Sequence, residues 1–401
     1  MQYLTMRKYY QAVLFIVAVI SLISLLFYQH EYNKLRNVFN YFGKVEHKDI
    51  IVDNCTKVEI KSEKVNLELD EPFASWQRLN DDLFVFSSFT KNNREIITIG
   101  FGKLRNNFDL NCNVYLGGEI VSGKFTYSIL KNTTDTLEND EYCGYILKCQ
   151  LAEEKKPIGV TYFETTDNKG SVILPIKQLS ESGGASEYAF CISPLENKMP
   201  SLLEVTNFLD THKLLGVENF LLYDYNMPII SDQVLRNTLK TSCTKIAWNF
   251  PFSKIRTRIK MSLMELDCLY RTYNKATYAA LLTWEESIVL NYHSSLHNLM
   301  IDFKKNKMFG DRFMLNSSIF CVQNNKTRSS VVIKNQKSNL KGRSVYIFKP
   351  VDVLDNESLK TMEVLPDLVE VKRYQLCTNG EQNEKQKHVN FRKSFRFAAD
   401  I

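Results

Sequence analysis

The sequence predicts an α/β protein, a mostly parallel sheet with flanking helices that follows a membrane-spanning helix and a β-rich region. Three observations carry this prediction. Residues 12–28 are apolar and uncharged, residues 51–180 contain short β-branched and aromatic runs, and residues 187–376 alternate strand-like with helix-like stretches. The 401 residues suffice for two or three domains. A net charge of +6 is mild, and we expect no nucleic-acid partner.

The N-terminal segment predicts a signal anchor. Residues 1–11 contain Arg7 and Lys8 and no acid, which favours a cytoplasmic tail. Residues 12–28 are then long enough to span a thin bilayer. The alternative is a cleaved signal peptide, but residues 28–31 (YQHE) offer no small residue at a cleavage site. We therefore expect a single-pass type II protein with a stem over residues 29–50 and residues 29–401 in the lumen.

Two further features favour a lumenal location. All nine cysteines follow the apolar segment, and the absence of a CxxC pair favours disulfides over a zinc ribbon. The odd count leaves at least one thiol unpaired or paired between chains, and the pairing stays open. Five Asn-X-Ser/Thr glycosylation sites lie on the same side: Asn54, Asn132, Asn316, Asn325 and Asn356.

Residues 51–180 form the predicted β-rich lumenal domain. Runs such as residues 83–89 (LFVFSSF) and 158–163 (IGVTYF) have strand composition, and polar turns separate them. Several short strands at this spacing indicate an antiparallel sandwich. The small polar residues 179–187 (LSESGGASE) are expected to be the linker.

Strands and helices alternate after the linker. Strands are predicted at residues 188–192, 217–223 and 244–250, and the stretch 276–290 supplies a fourth, a buried run at 279–282 that ends at 283–286. Helices are predicted at 201–215, 234–239 and 260–273, with Gly216 ending the first helix. Ser193, Asp224 and Glu285 follow strand ends. Because parallel sheets bind ligands beyond the carboxyl ends of their strands, these residues are candidates for a binding site.

The order of these segments resembles glycosyltransferase family 92. The matching pieces are residues 191–195 (CISPL), 212–220 (HKLLGVENF), 222–224 (LYD), 267–271 (DCLYR) and the strand from 278 to 290, with weaker similarity over 83–104 and 341–353. The resemblance implies a GT-A type fold over residues 187–376. It also implies a nucleotide-sugar donor, usually UDP-galactose, a glycan acceptor, and a type II membrane enzyme of the Golgi.

One departure from the family lies at the end of the fourth strand. The family usually has Asp-X-Asp-Glu there, whereas this chain has Thr283-Trp284-Glu285-Glu286. The resemblance implies that Glu285 holds Mn²⁺ or Mg²⁺ and that Glu286 supports the donor site. Glu285 is still an oxygen ligand, but Thr283 lacks the charge of the carboxylate it replaces. The chain also lacks the histidine that the family tends to have near the domain's end, since His388 lies in the polar tail 377–401.

Other polar residues have less specific interpretations. Arg258 and Lys260 lie near the start of a helix, where they could bind a diphosphate, although a solvated face is an equal alternative. Asp224 is the candidate to accept hydrogen bonds from the uridine or ribose of the donor. Ser193 completes the expected cofactor-binding set, and no catalytic base is predicted. The spacing of His293 and His297 fits two metal ligands on a helix, but a structural role is favoured because no HExxH motif accompanies them. His212 is expected to interact with a helix dipole.

Two functions are therefore open. The first is a Golgi glycosyltransferase that moves a hexose, with galactose as the first candidate, from a UDP-sugar to a glycan hydroxyl with inversion and metal assistance. The second is a catalytically weak relative that binds a glycan or a protein partner in the lumen.

Overall fold

A computed structural model describes residues 75–376, except 106, 132, 138–139, 165–166, 180–185, 195–199, 225–242, 323–335 and 357. The predicted cytoplasmic tail, anchor, stem, helix 234–239 and polar tail lie outside the described residues. Within the described part, none of the helices has the length and apolar character needed to cross a membrane.

Residues 77–178 form a closed sheet rather than the predicted sandwich. Its strands are β1 (Gln77–Arg78), β2 (Leu83–Thr90), β3 (Glu95–Lys103), β4 (Leu110–Leu116), β5 (Glu119–Ile129), β6 (Asp135–Leu137), β7 (Asp140–Gln150), β8 (Pro157–Glu164) and β9 (Asp167–Gln178). The order is β2-β3-β7-β5-β4-β8-β9, and β9 returns to pair with β2. Closure removes the exposed edges that two separate sheets would have.

A disulfide crosses the interior of this closed sheet. Cys112 on β4 is bonded to Cys149 on β7, and β5 lies between those two strands. Gly123 on β5 leaves room for the bond, because a Cβ there would lie 2.4 Å from the Cys149 sulfur. The prediction of disulfides in this region is thus confirmed.

The second half of the chain contains a mixed seven-stranded sheet. In spatial order its strands are β12 (Cys243–Ala247), β11 (Asn219–Asp224), β10 (Ser186–Ser193), β13 (Ala276–Thr283), β18 (Val345–Phe348), β15 (Arg312–Leu315) and β19 (Thr361–Glu363). The four strands from β12 to β13 are parallel, whereas β18 is antiparallel to both β13 and β15. The parallel strands therefore end together at one edge.

A smaller sheet continues from that edge. It consists of β14 (Glu286–Leu290), β20 (Val369–Leu376), β16 (Ser317–Val322) and β17 (Gln336–Lys341). The stretch 276–290 therefore contains two strands, β13 and β14, in different sheets, and the strand predicted at 279–282 lies within β13. The chain passes between them at Trp284 and Glu285.

Four helices are described: α1 (Leu202–Leu214), α2 (Thr257–Thr272), α3 (Leu296–Lys305) and α4 (Pro350–Asp355). A capping box between Ser201 and Glu204 begins α1. Gly216, with a φ of 99°, lies just beyond its end, as predicted. Helix α2 packs on β10 and β13 and is bonded to β10 through the Cys191–Cys268 disulfide.

The mixed sheet has a hydrophobic core on each face. On one face Ile192, Leu222 and Leu282 pack with residues of α1 and α3. On the other face Cys191 and Leu281 pack with α2 and with aromatic residues of the closed sheet. Trp76 and Phe86 of the closed sheet contact Trp248, which is fully buried. The closed sheet and the mixed sheet are therefore joined by an apolar interface.

The predicted α/β fold class was wrong. About half of the described residues lie in strands, and a closed, mainly antiparallel sheet precedes a mixed sheet with few helices. The strand and helix alternation holds only from β10 to β13. After β13 the chain adds mainly strands, because residues 312–322 and 345–348 pair with existing sheet edges rather than cross over as helices.

Candidate active site

The carboxyl ends of the parallel strands bring two predicted site residues, Ser193 and Asp224, to one edge of the mixed sheet together with Thr283. Ser193 ends β10, Asp224 ends β11 and Thr283 ends β13. Ser193 and Thr283 are register partners on adjacent strands. The alignment arises because β10, β11 and β13 are parallel, so equivalent ends coincide.

The three side chains do not share one face of the sheet. Alternation along a strand places Ser193 and Thr283 on the face of Cys191 and Leu281, which is the face covered by α2. Asp224 follows Leu222 by two residues and therefore lies on the opposite face. Asp224 is 9% exposed, and its Oδ2 accepts from Lys245 Nζ at 2.7 Å. The edge therefore carries hydroxyls on one face and a paired carboxylate on the other.

Glu286 is a buried structural carboxylate. Its side chain is fully buried, Arg343 Nε donates to Oε1 at 2.9 Å and Arg343 Nη2 donates to Oε2 at 2.6 Å. The backbone N–H of Thr283 also donates to Oε2, at 2.9 Å. Arg343 further donates to the carbonyl of Leu281 at 2.7 Å. Glu286 thus fixes the turn after β13, and its contact with the donor stays a prediction.

Glu285 is more accessible but also paired. Its Oε2 accepts from Arg373 Nε at 3.2 Å, and its backbone carbonyl accepts from the N–H of Tyr374 at 2.9 Å. The Glu285 side chain is 20% exposed and that of Arg373 is 32% exposed. Since a pair at this exposure contributes at most about 1 kcal/mol, a competing ligand could displace the arginine.

The residues around Glu285 fit a resident divalent ion poorly. Among the described residues, no three His, Cys, Asp or Glu side chains are grouped to hold a metal. Glu285 is the single carboxylate of the motif with an accessible oxygen, and a guanidinium neutralises it. Thr283 supplies a hydroxyl, and within the part of the chain that the structure describes its buried Oγ1 has no hydrogen-bond partner. The predicted Mn²⁺ or Mg²⁺ site stays a prediction, and we derive no step through a metal.

The basic residues near the start of α2 have three different environments. Arg256 Nε pairs with Asp135 of the closed sheet at 2.9 Å. Lys260 is 4% exposed and donates to the carbonyl of Ser253 at 3.0 Å, which makes it a buried structural residue. Arg258 is exposed in the first turn of α2. Of the two predicted diphosphate contacts, Arg258 is the one accessible to a ligand.

The segment 267–271 (DCLYR), one of the pieces that resemble family 92, forms a buried hydrogen-bond network next to the end of β11. Arg271 Nε donates to Asp267 Oδ2 at 2.5 Å, and the hydroxyl of Tyr223 donates to the same oxygen at 2.6 Å. Arg271 Nη2 donates to Ser87 Oγ on β2 at 2.9 Å. Burial and the Asp267 carboxylate raise the pKa of Tyr223, so its hydroxyl keeps the proton. This buried network fixes the end of β11, next to Asp224, to the closed sheet.

The histidines have structural positions. His212 is fully buried, its Nδ1 lies 2.7 Å from the carbonyl of Phe208, and its Nε2 accepts from the N–H of Ile288 at 3.5 Å. Burial lowers the pKa of His212 to about 4. The ring is therefore neutral, which rules out the expected interaction of a charged imidazole with the helix dipole. His293 and His297 have separate partners, Asp302 and Glu187.

Sequence reasoning missed the two arginines that bind the motif carboxylates. Arg343 and Arg373 follow Glu286 by 57 and 87 residues, and no local pattern marks them. It also missed Glu265 on α2, whose pKa is raised to about 7 by burial. The nearby charges of Arg343 and Arg312 act in the opposite direction on that pKa, so burial dominates.

A family model decides the classification. The model for glycosyltransferase family 92 matches residues 186–395, from the first residue of β10 onward and over more than half of the chain. The chain belongs to glycosyltransferase family 92. The match confirms the predicted family and covers the edge with Ser193, Asp224 and Glu285, but it does not extend over the closed sheet. No curated protein gives a significant match to the chain. A family 92 glycosyltransferase takes a nucleotide sugar as donor and a glycan as acceptor.

Proposed function

We propose that this family 92 protein transfers a hexose, with galactose as first choice, from a UDP-sugar to a glycan hydroxyl with inversion of the anomeric centre. The observation that supports the proposal most is the edge formed by β10, β11 and β13, where the family match coincides with the ligand end of a parallel sheet.

The edge offers distinct contacts to each part of a UDP-sugar. Asp224 is the candidate contact for the ribose hydroxyls, because a carboxylate at a strand end can accept hydrogen bonds from them and its partner Lys245 is 40% exposed. Arg258 and Arg373 can neutralise the diphosphate, since guanidinium groups bind phosphate oxygens through paired N–H donors. Ser193 and Thr283 are register partners at the ends of β10 and β13. Their hydroxyls are suited to hydrogen bonds with the donor.

The proposed setting is the Golgi lumen. The uncharged segment 12–28, the basic residues before it and the glycosylation sites after it support a type II anchor. Two disulfides, Cys112–Cys149 and Cys191–Cys268, fit an oxidising compartment.

The test is UDP-galactose binding and turnover by the full-length chain, in Mn²⁺ and in EDTA. We expect saturable binding that Asp224→Asn weakens at least tenfold, while Asp210→Asn on the exposed side of α1 leaves it unchanged. Because Glu285 is paired with Arg373, we expect binding in EDTA to stay within a few-fold of that in Mn²⁺. Binding that requires Mn²⁺ would instead favour the predicted metal site at Glu285.

A second function is favoured by one observation. Thr283 replaces an expected carboxylate, and arginines bind both remaining carboxylates of the motif. A protein with this motif could bind a glycan or a partner without turnover. Donor binding without any UDP release, over a range of acceptor glycans, would support this alternative over the enzyme.

A further inference from the structure

Glu265 is a carboxylate without a partner in the described structure. It lies on α2 and is half-buried, and no hydrogen bond or ion pair to its side chain is found among the described residues. The two arginines whose charges act on Glu265, Arg343 and Arg312, form hydrogen bonds with other residues. Arg343 binds Glu286, and Arg312 donates to Thr361 Oγ1 at 2.7 Å. Buried acids are normally paired, so an unpartnered one calls for a functional explanation.

The disulfide Cys191–Cys268 locates Glu265 relative to the strand ends. Cys191 is the register partner of Leu281, so Cys268 lies over β10 and β13 near the level of Leu281. Glu265 precedes Cys268 by three residues on α2, which is about 4.5 Å along the helix. Because α2 leads into β13 through a short turn, this displacement points toward the carboxyl end of β13.

Glu265 is thus brought level with Thr283. From Leu281 to Thr283 the strand rises about 6.6 Å, and side chains on a helix lean toward its N-terminus, here toward the same edge. Thr283 is on the face of β13 that α2 covers, and no described residue forms a hydrogen bond with its buried Oγ1. The Glu265 carboxyl and the Thr283 hydroxyl, neither with a hydrogen-bond partner among the described residues, therefore lie at the same end of the sheet.

The charges around Glu265 are few. Among the described residues, the charges of Arg343 and Arg312 lower the pKa of Glu265, because they stabilise its ionised form. Helix α4, which packs against α2, brings Asp352 and Asp355, and these are paired with Lys349 and Lys91. Burial outweighs the arginines and raises the pKa of Glu265 to about 7. Near neutral pH the group is therefore able both to take up and to release a proton.

We propose that Glu265 is the general base that accepts the proton of the acceptor hydroxyl. This inference rests on the proposed function, and it assigns the one role that the sequence left open.

The reaction step balances as a single displacement. The acceptor oxygen forms a bond to the anomeric carbon while the bond from that carbon to the diphosphate oxygen breaks. The electron pair of the broken bond leaves with UDP, and the acceptor proton passes to a carboxylate oxygen of Glu265. Glu265 then releases the proton to water. Arg343 holds the Glu286 side chain through two hydrogen bonds, so the turn after β13 keeps its shape during the transfer.

The experiment compares Glu265→Gln with Asp210→Asn in the full-length chain. UDP affinity is measured by calorimetry, and transfer from UDP-galactose to a glycan acceptor is measured from pH 5 to 9. For Glu265→Gln we expect unchanged UDP affinity, a loss of at least about 100-fold in kcat, and no rate increase across pH 7. Wild type and Asp210→Asn should both show that increase. Glu265→Asp should recover part of the rate with a shifted profile.

Three outcomes separate the explanations. A Glu265→Gln variant with kcat within threefold of wild type, or with the rate increase near pH 7 retained, would overturn the assignment while leaving the transferase intact. A variant with weakened UDP affinity and reduced thermal stability would also overturn it, since that pattern is structural. A wild-type chain that binds no UDP would refute the proposed function itself, and the base assignment with it.

Discussion

Substitution of Arg343 by methionine tests whether the turn after β13 depends on a buried ion pair. The change removes the two N–H donors to Glu286 and the donor to the carbonyl of Leu281. The Glu286 side chain is fully buried, so its charge loses its counter-ion without gaining water. Breaking a buried pair in this way costs about 3–5 kcal/mol. At roughly 2–4 °C per kcal/mol for a domain of this size, the melting temperature should fall by about 6–20 °C.

The neighbouring pair provides the matched control. Arg373→Met removes the same kind of contact from Glu285, but that pair is partly exposed, at 32% and 20% for the two side chains. We expect a loss below about 1 kcal/mol. The double variant Arg343→Met with Glu286→Gln should recover much of the stability, because the uncompensated buried charge is gone.

Urea unfolding followed by tryptophan fluorescence is a suitable assay. The three tryptophans are buried, and Trp284 lies within the turn itself. A loss below 1 kcal/mol for Arg343→Met, or an equal loss for Arg373→Met, would refute the distinction between a structural Glu286 and an accessible Glu285.

Three other predictions concern proton binding and the disulfide. The pKa of Glu265 rises from 4.5 to about 7 on folding, so the folded chain holds a proton that the unfolded chain releases, and stability falls as pH rises through that window. Glu265→Gln should therefore exceed wild type by about 3 kcal/mol at pH 8 and match it near pH 4, and a constant difference across this range in urea titrations would contradict the assignment. The pKa of His212 falls from 6.5 to about 4 on folding, so stability is lost as pH falls from 6.5 to 4. His212→Leu should reduce this pH dependence by about 3 kcal/mol, and an unchanged slope would mean that the imidazole is hydrated. The Cys191–Cys268 bond closes a loop of 77 residues, so replacing both by serine should cost about 4 kcal/mol, and a urea midpoint equal to that of wild type would show that the bond does not constrain the unfolded chain.

Local patterns predicted the parallel part of the mixed sheet well. The strands expected at residues 188–192 and 217–223 are Ser186–Ser193 and Asn219–Asp224, and the helix expected at 260–273 is Thr257–Thr272. These strands are buried on both faces and the helix is amphipathic, so the spacing of their apolar residues predicts both the type of element and its buried side. Their ends, at Ser193 and Asp224, were therefore predictable.

Features that depend on distant pairing were not predictable. The closed sheet requires β9 to pair with β2, and strand composition carries no information about that partner. Glu285 and Glu286 are adjacent acids, yet one is partly exposed and the other fully buried because different arginines reach them. Glu265 has no sequence signature, since its unusual proton affinity comes from burial beneath the surrounding chain.

The most direct test of the central claim is a calorimetric titration of the full-length chain with UDP-galactose in EDTA. We expect saturable binding that Asp224→Asn and Arg258→Met each weaken and that Asp210→Asn does not change. No binding in EDTA or in Mn²⁺, or binding that is indifferent to Asp224 and Arg258, would contradict a donor site at the carboxyl ends of β10, β11 and β13.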